Sequence, residues 1–419
     1  MKYAALAATL IFLAPAARAT PPDSSGTGLT PDSLVVEVLE HNPRLIAAKS
    51  RSKGAGARVR REGAWEDPFA GVEFFATPVT SANPFKDGME TDYFIQQMIP
   101  FPGKKGDMGD AASAGARMAG EEARAVERDL VAETRRAYAM IWSAQRRIEV
   151  NDQNRILVRQ IVESARAKYR VGGTAQGNVL KAQVEEAQLQ NERSVLDQEL
   201  ASAVVMMNAL RAVPPATPIG RVAEIEPRRL PDGPDTLAAR ALLARPEIVA
   251  MSGEIEMNGA ELSAAGKEWY PDIMIKGTYK QMKDQTDQWA AMIGVNIPIA
   301  PWGIGKYSGR EEESEAKLVA SERSLEDMKN MVQSEVRGVH AKVQSGWDRI
   351  ERYRITLLPQ AVQSYRSTLA SYENDETDFL SLIDSFRMLQ MLRMEYIVVV
   401  EEYATNIAAL ERAVGGNLQ

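Results

Sequence analysis

The chain has 419 residues, 45% of them hydrophobic, a formal charge of −7 and no cysteine. The acidic balance disfavours nucleic acid as a partner, and the missing thiols exclude disulfides, thiolate metal sites and a lipidated cysteine. No stretch has 18 uncharged apolar residues, so no transmembrane helix is expected and any membrane insertion must use strands.

Lys2, the apolar run Ala4 to Ala14 and then Ala17-Arg18-Ala19 read as a secretory signal over 1–19, leaving Thr20 first and moving the charge from −7 to −9 by loss of Lys2 and Arg18. Residues 20–42 form an N-terminal arm and a short helix: the arm is rich in Pro, Gly and Ser, and Thr30-Pro31 supplies an N-cap followed by proline at the first helical position. Asn42-Pro43 repeats that signal and opens a unit over 43–211. Its first helix runs to about Trp65. Two strands follow, 69–77 and 91–99; in the first, Ala70, Val72, Phe74 and Ala76 alternate with Gly71 and Glu73. Asn83-Pro84 and Asp87-Gly88 mark the loop between them, and Pro100-Phe101-Pro102-Gly103 ends the second strand.

Residues 107–170 contain no proline and, after Gly120, no glycine, which predicts one helix of roughly 95 Å. Val126, Leu130, Ala137, Ile141 and Ile148, spaced 4, 7, 4 and 7 apart, draw a coiled-coil stripe along it. A tip at 171–174 stops this helix, with Gly172 suited to a left-handed cap, and a helix over 174–211 completes an antiparallel hairpin. The proline-dense stretch 212–245 is an equatorial connector.

The order then begins again. Leu237, Pro246, Trp269 and Tyr372 answer Leu34, Pro43, Trp65 and Tyr169 at offsets of 203, 203, 204 and 203, which marks an internal duplication. The second unit, 246–412, comprises a helix, strands 273–280 and 289–297, a long helix 307–372, a tip at 373–377 and a helix 377–412; residues 413–419 form a C-terminal tail. Pro359 interrupts the long helix and predicts a bend about four turns above the tip. In each unit the two shorter helices together match the long one, so stacked end to end they build a wall of uniform height. The fold class is therefore mainly α with a small β part. Four strands cannot close a barrel, and lipid leaves no backbone group unpaired, so the chain must oligomerise. Two copies give eight strands around a filled interior; three give twelve and leave a passage.

The duplicated order of helix, two strands, long helix, tip and short helix resembles the TolC family of outer-membrane channels over essentially the whole mature chain. Local stretches carry the likeness too: Gln97-Met98-Ile99-Pro100-Phe101-Pro102-Gly103-Lys104-Lys105, Ala167-Lys168-Tyr169-Arg170-Val171-Gly172-Gly173-Thr174 and Leu357-Leu358-Pro359-Gln360-Ala361. The resemblance implies a homotrimer with a twelve-stranded barrel in outer-membrane lipid, continued by a twelve-helix tunnel through the periplasm. It also implies partners: a periplasmic adaptor and an inner-membrane pump of RND or ABC type, feeding a passive exit duct. Ile99 to Lys105 is similar to members of metal-cation efflux systems, with drugs as the other cargo. A type I secretion channel and a non-conducting periplasmic scaffold are the rival readings.

By the same resemblance, the adaptor docks on the tips, Val171, Gly172, Gly173 and Thr174 with Asn374, Asp375, Glu376 and Thr377. Asp375 stands where relatives usually carry glycine, although aspartate tolerates the left-handed conformation. Of the two aspartates that narrow the aperture in some members, Asp384 matches one and Ser381 occupies the other position, with Asp378 beside them. Trp65, Trp269, Trp289 and Trp302 flank the strands as a membrane-interface belt would, the alternative being packing between barrel and helices. His41 and His340 lie 299 positions apart, and the 18 Met suit helix cores, so no protein metal site or cofactor is expected. No catalytic constellation stands out, and an enzyme is not expected.

Overall fold

A computed structural model describes residues 28–77, 79–298 and 301–418; the predicted signal segment and most of the N-terminal arm lie outside the described residues. The first unit comprises α1 (Pro31–His41), α2 (Pro43–Gly63), β1 (Phe69–Phe75), a short α3 (Pro84–Asp87), β2 (Glu90–Ile99), α4 (Lys104–Arg170) and α5 (Gln176–Arg211). The second comprises α6 (Pro234–Ala244), α7 (Pro246–Gly266), a 3-10 turn (Lys267–Trp269), β3 (Ile273–Met282), β4 (Gln288–Val295), α8 (Ile304–Arg352), a π-helical turn (Tyr353–Leu357), α9 (Leu358–Glu373) and α10 (Phe379–Val414). The duplication is therefore structural. Helices α1 and α6 have 11 residues each, α2 and α7 have 21, and α5 and α10 have 36.

The caps do what their chemistry requires. Thr30 Oγ1 accepts the Ser33 amide at 3.3 Å and Asn42 Oδ1 accepts the Arg44 amide at 2.9 Å, each ahead of a proline that needs no donor partner. Boundaries differ from expectation by a few residues, and two elements are new. Helix α3 folds inside the first interstrand loop, where Phe85 meets Phe74 edge-on at 4.5 Å. The break near Pro359 is a π turn just before the proline: widening the hydrogen-bond pattern there absorbs the clash between the ring and the preceding turn.

Two separate apolar clusters hold the helices. The larger joins Leu34, Leu130, Ile141, Leu237, Val336 and Leu410 near the connector; the smaller, at the hairpin ends, joins Val158, Ile161, Val179, Tyr365, Leu382 and Phe386. Leu130 and Ile141, from the stripe read in the sequence, are completely buried, and each such side chain contributes about 1.5–3 kcal/mol. Polar clamps reinforce the upper cluster. Tyr138 Oη donates to the carbonyls of Ala223 (2.8 Å) and Leu29 (3.1 Å), pinning the connector to the N-terminal arm, and burial pushes its hydroxyl up to about 12.

Candidate channel wall and hairpin tips

The four strands form one antiparallel sheet in the order β1-β2-β3-β4. Its register decides what the sheet can touch. Val72 lies opposite Tyr93, Tyr93 opposite Tyr279 and Tyr279 opposite Trp289; one step along, Ala70, Ile95, Gly277 and Ala291 form the next row of the same face. The other face carries every charged side chain of the four strands. Glu73, Asp92 and Lys280 make one row, with Glu90 on the next row to one side and Lys276 two rows away on the other. There Lys280 Nζ sits 2.5 Å from Glu90 and 3.3 Å from Asp92, while Lys276 Nζ lies 3.9 Å above the Phe94 ring. That ring occupies the space over Gly71, where an added Cβ would come within 2.6 Å of it. A one-residue slip of β1, β2 or β3 would put charge on the apolar face, so the hydrophobic pattern specifies this pairing strongly.

Below the sheet, α2, α4, α7 and α8 curve around a hollow of about 1070 Å³ that opens on the charged side, since Met98 belongs both to that face and to the lining. The junction stretch read in the sequence has a mechanical part here. Phe101 stacks on Tyr270 at 4.4 Å, its amide donates to Asp272 at 2.8 Å, and Lys104 pairs with the same carboxylate at 3.2 Å. Strand β2 is thereby fastened to the start of β3 before α4 departs. Of the four tryptophans that flank the strands, Trp65, Trp289 and Trp302 are exposed. Trp269 is half-buried in the 3-10 turn, donating to Glu311 at 3.0 Å with its ring 5.6 Å from that of Tyr307.

At the far end the two hairpin tips share one backbone design. Gly172 has φ +76°, and the Gly173 amide reaches the Lys168 carbonyl at 2.8 Å; Asp375 has φ +63°, and the Glu376 amide reaches the Ser371 carbonyl at 2.8 Å. Both are Schellman closures of a helix end. Val171, Gly172, Gly173, Asn374, Asp375 and Glu376 are exposed, while Thr174 and Thr377 are half-buried. Lys168, quoted in the sequence only as part of the stretch Ala167 to Thr174, crosses between the tips: it donates to the Tyr372 carbonyl at 2.6 Å, pairs with Asp375 and lies 4.7 Å above the Tyr372 ring.

The residues read as a constriction occupy different settings. Asp378 is the N-cap of α10 and accepts the Ser381 amide at 2.8 Å; the hydrogen bonds from Ser381 hold its carboxyl below the usual range. Both residues therefore serve the helix start. Asp384 is one turn further, exposed, with its nearest cation Arg387 at 3.8 Å. Arg387 leans the other way, to the buried Glu185 of α5, with Nε at 2.8 Å. Among the described residues no group of three His, Asp or Glu side chains converges as a metal site, and no helix is long and apolar enough to cross a membrane.

Residues 34–212 match the family model for outer membrane efflux proteins. The cobalt-zinc-cadmium resistance protein CzcC of Cupriavidus metallidurans is 22% identical over 323 residues, 76% of this chain and 75% of that protein. Outer membrane protein TolC of Vibrio cholerae is 20% identical over 322 residues, 73% of this chain and 72% of that one. Among solved structures, CusC superposes with a TM-score of 0.80 over 92% of both chains at 18% identity. VceC, an outer membrane protein of Vibrio cholerae, superposes with a TM-score of 0.77 over 93% of this chain and 97% of that one, at 19% identity. The fold is that of the outer-membrane channels. The family match over 34–212 and both curated relatives point to a TolC-like outer membrane efflux channel, with a heavy-metal type among the relatives.

Proposed function

We propose that the protein is the outer-membrane exit duct of a tripartite efflux pump, conducting passively from a periplasmic adaptor and an inner-membrane pump to the exterior. The observation that carries this reading is the sheet: all of its charge lies on one face, and β1 and β4 each pair on one side only. An apolar face backed by a charged face suits a wall between lipid and water. Two unpaired edges in hydrocarbon require further copies, and three copies close a twelve-stranded barrel wide enough to leave a passage. Outward apolar residues with exposed Trp65, Trp289 and Trp302 at the margins fit the lipid boundary. The tips, being exposed and rigidly capped, suit adaptor docking.

Planar-bilayer recording of the purified protein, with native mass spectrometry on the same sample, tests the duct. A trimer with unitary conductance is expected; a water-soluble species with no pore would favour the periplasmic scaffold instead. Within that duct Asp384 lines the constriction, where threefold repetition sets like charges near one axis and attracts cations. Asp384→Ala is expected to raise single-channel conductance and weaken block by multivalent cations. Unchanged conductance and block would remove Asp384 from that role.

A further inference from the structure

The helix that carries Asp384 also carries Met388, Met391 and Met394, three thioethers at intervals of three in the run Met388-Leu389-Gln390-Met391-Leu392-Arg393-Met394. Methionine in a helical protein is expected in the core. Here the core face of α10 is made instead of Phe379, Leu382, Ile383, Phe386 and Leu389, at most 3% exposed each. Met388 and Met391 stand on the opposite side, 53% and 51% exposed. At about 100° per residue they straddle the middle of that outward face, with Asp384 one turn before them and the exposed Glu395 one turn after. Hydrocarbon faces the core and sulfur faces outward.

We propose that Met388 and Met391 form a thioether site for soft monovalent cations, Cu(I) or Ag(I), directly above the Asp384 level. Residues three apart on a helix have Cβ atoms about 5–6 Å from each other, a distance two unbranched, three-torsion side chains span to place both sulfurs on one ion. Neutral thioethers select soft ions and ignore Zn²⁺ or Mg²⁺, which take nitrogen, thiolate or oxygen donors. The flanking carboxylates supply what the thioethers lack, a local negative potential that gathers cations without choosing among them. Arg387, the one cation within this stretch of the outward face, is drawn aside to Glu185. The inference adds a substrate class to the duct reading and rests on it for transit; the pair itself lies within one subunit.

The test is Ag(I) binding to the purified full-length protein in chloride-free buffer, followed by calorimetry, with Met388→Leu/Met391→Leu as the variant that keeps volume and apolarity while removing sulfur. Losing both ligands is expected to weaken Ag(I) binding by more than roughly a hundredfold, beyond the ~10–100-fold typical of outer-shell changes. Met206→Leu, on α5 and away from the pair, is expected to bind as the unaltered protein does. Equal Ag(I) affinity in the double variant, or no Ag(I) binding by the unaltered protein, overturns the site. Zn²⁺ displacing Ag(I) at comparable concentration overturns its selectivity. Because binding is read without a bilayer, a protein that binds Ag(I) but conducts nothing would sink the duct and leave the site standing.

Discussion

The two repeats have paired helices of equal length and matching tips, yet their long arms differ. Helix α4 is continuous over 67 residues, whereas the second arm is α8, a π turn and α9. At the same level as the π turn the packing between hairpins also changes character. The two apolar clusters are separated there by Asn151 and Asn154, both fully buried, with Asn151 donating to Glu192 at 3.0 Å and Gln390 donating to the same carboxylate at 3.1 Å. Tyr353, the first residue of the π turn, donates to Glu395 at 2.8 Å. Duplication thus supplies one stiff arm and one arm jointed where the core is polar. The difference teaches that a repeat preserves helix lengths and tip backbone, while leaving N-caps and side-chain layers free to diverge.

Exchanging the feature between arms gives the largest contrast. Pro359 corresponds to Ile156 at the repeat offset of 203. Ile156→Pro in the unbroken α4 should cost about 3 kcal/mol or more, while Pro359→Ala, whose ring the π turn already accommodates, should stay within about 1 kcal/mol. Urea unfolding followed by circular dichroism reads both; equal penalties would mean that the π turn owes nothing to the proline.

The second contrast concerns the junction between the first two helices of each repeat. Asn42 caps α2 and donates to the Leu210 carbonyl at 2.8 Å. Its counterpart Arg245 has a side chain only 6% exposed, paired with Glu335 at 2.5 Å and Glu247 at 3.2 Å, and Arg412 binds the same two carboxylates. Arg245→Ala should cost about 3 kcal/mol by leaving that acidic cluster under-compensated, against about 1 kcal/mol for Asn42→Ala. Melting temperatures of the two variants check the order, and a reversed order would break the assignment of the ion network to the second repeat.

A smaller effect distinguishes the tips. Gly172→Ala places a Cβ in the left-handed region and should cost about 1 kcal/mol. Asp375→Gly relieves a similar strain but loses the pair with Lys168, and since Asp375 is 78% exposed that pair contributes less than about 1 kcal/mol. The variant should therefore be no less stable than the parent. A clear loss in unfolding experiments would show that the Lys168 bridge outweighs backbone strain.

These contrasts also show what a linear reading can reach. The duplication, both proline caps, the alternation that segregates Val72 and Ile95 from Glu73 and Asp92, and the left-handed tip at Gly172 were legible because each is decided within a few residues. Pro359 announced a break but not its form, since the π turn depends on how neighbouring helices hold the strand of carbonyls above it. Lys168 to Asp375 and Arg387 to Glu185 join residues more than 200 positions apart. Trp269 reads as interfacial in the sequence because it is a tryptophan near a strand, and its partial burial against Tyr307 and its bond to Glu311 distinguish it from the exposed three. Likewise the spacing of Met388 and Met391 was visible, but the face they occupy required the packing of α10.

The smallest expected effect separates the N-cap of α10 from its interior by pH. Burial raises the Glu401 carboxyl above its ordinary 4.5, with Arg147 pulling it down and Glu199 and Glu402 pushing it up. Its folded form binds a proton more tightly than the unfolded one, so the associated stability is full below about pH 4.5 and is lost as pH rises through the folded value. Asp378, held below its ordinary 3.8 by Ser381, has the opposite sign: its contribution is present above that value and is lost as pH falls through the folded one. Glu401→Gln, neutral throughout, should match the parent near pH 4 and melt at higher temperature at pH 7 to 8. A variant that gained equally at both ends of the range would be acting through packing against α4 rather than through charge.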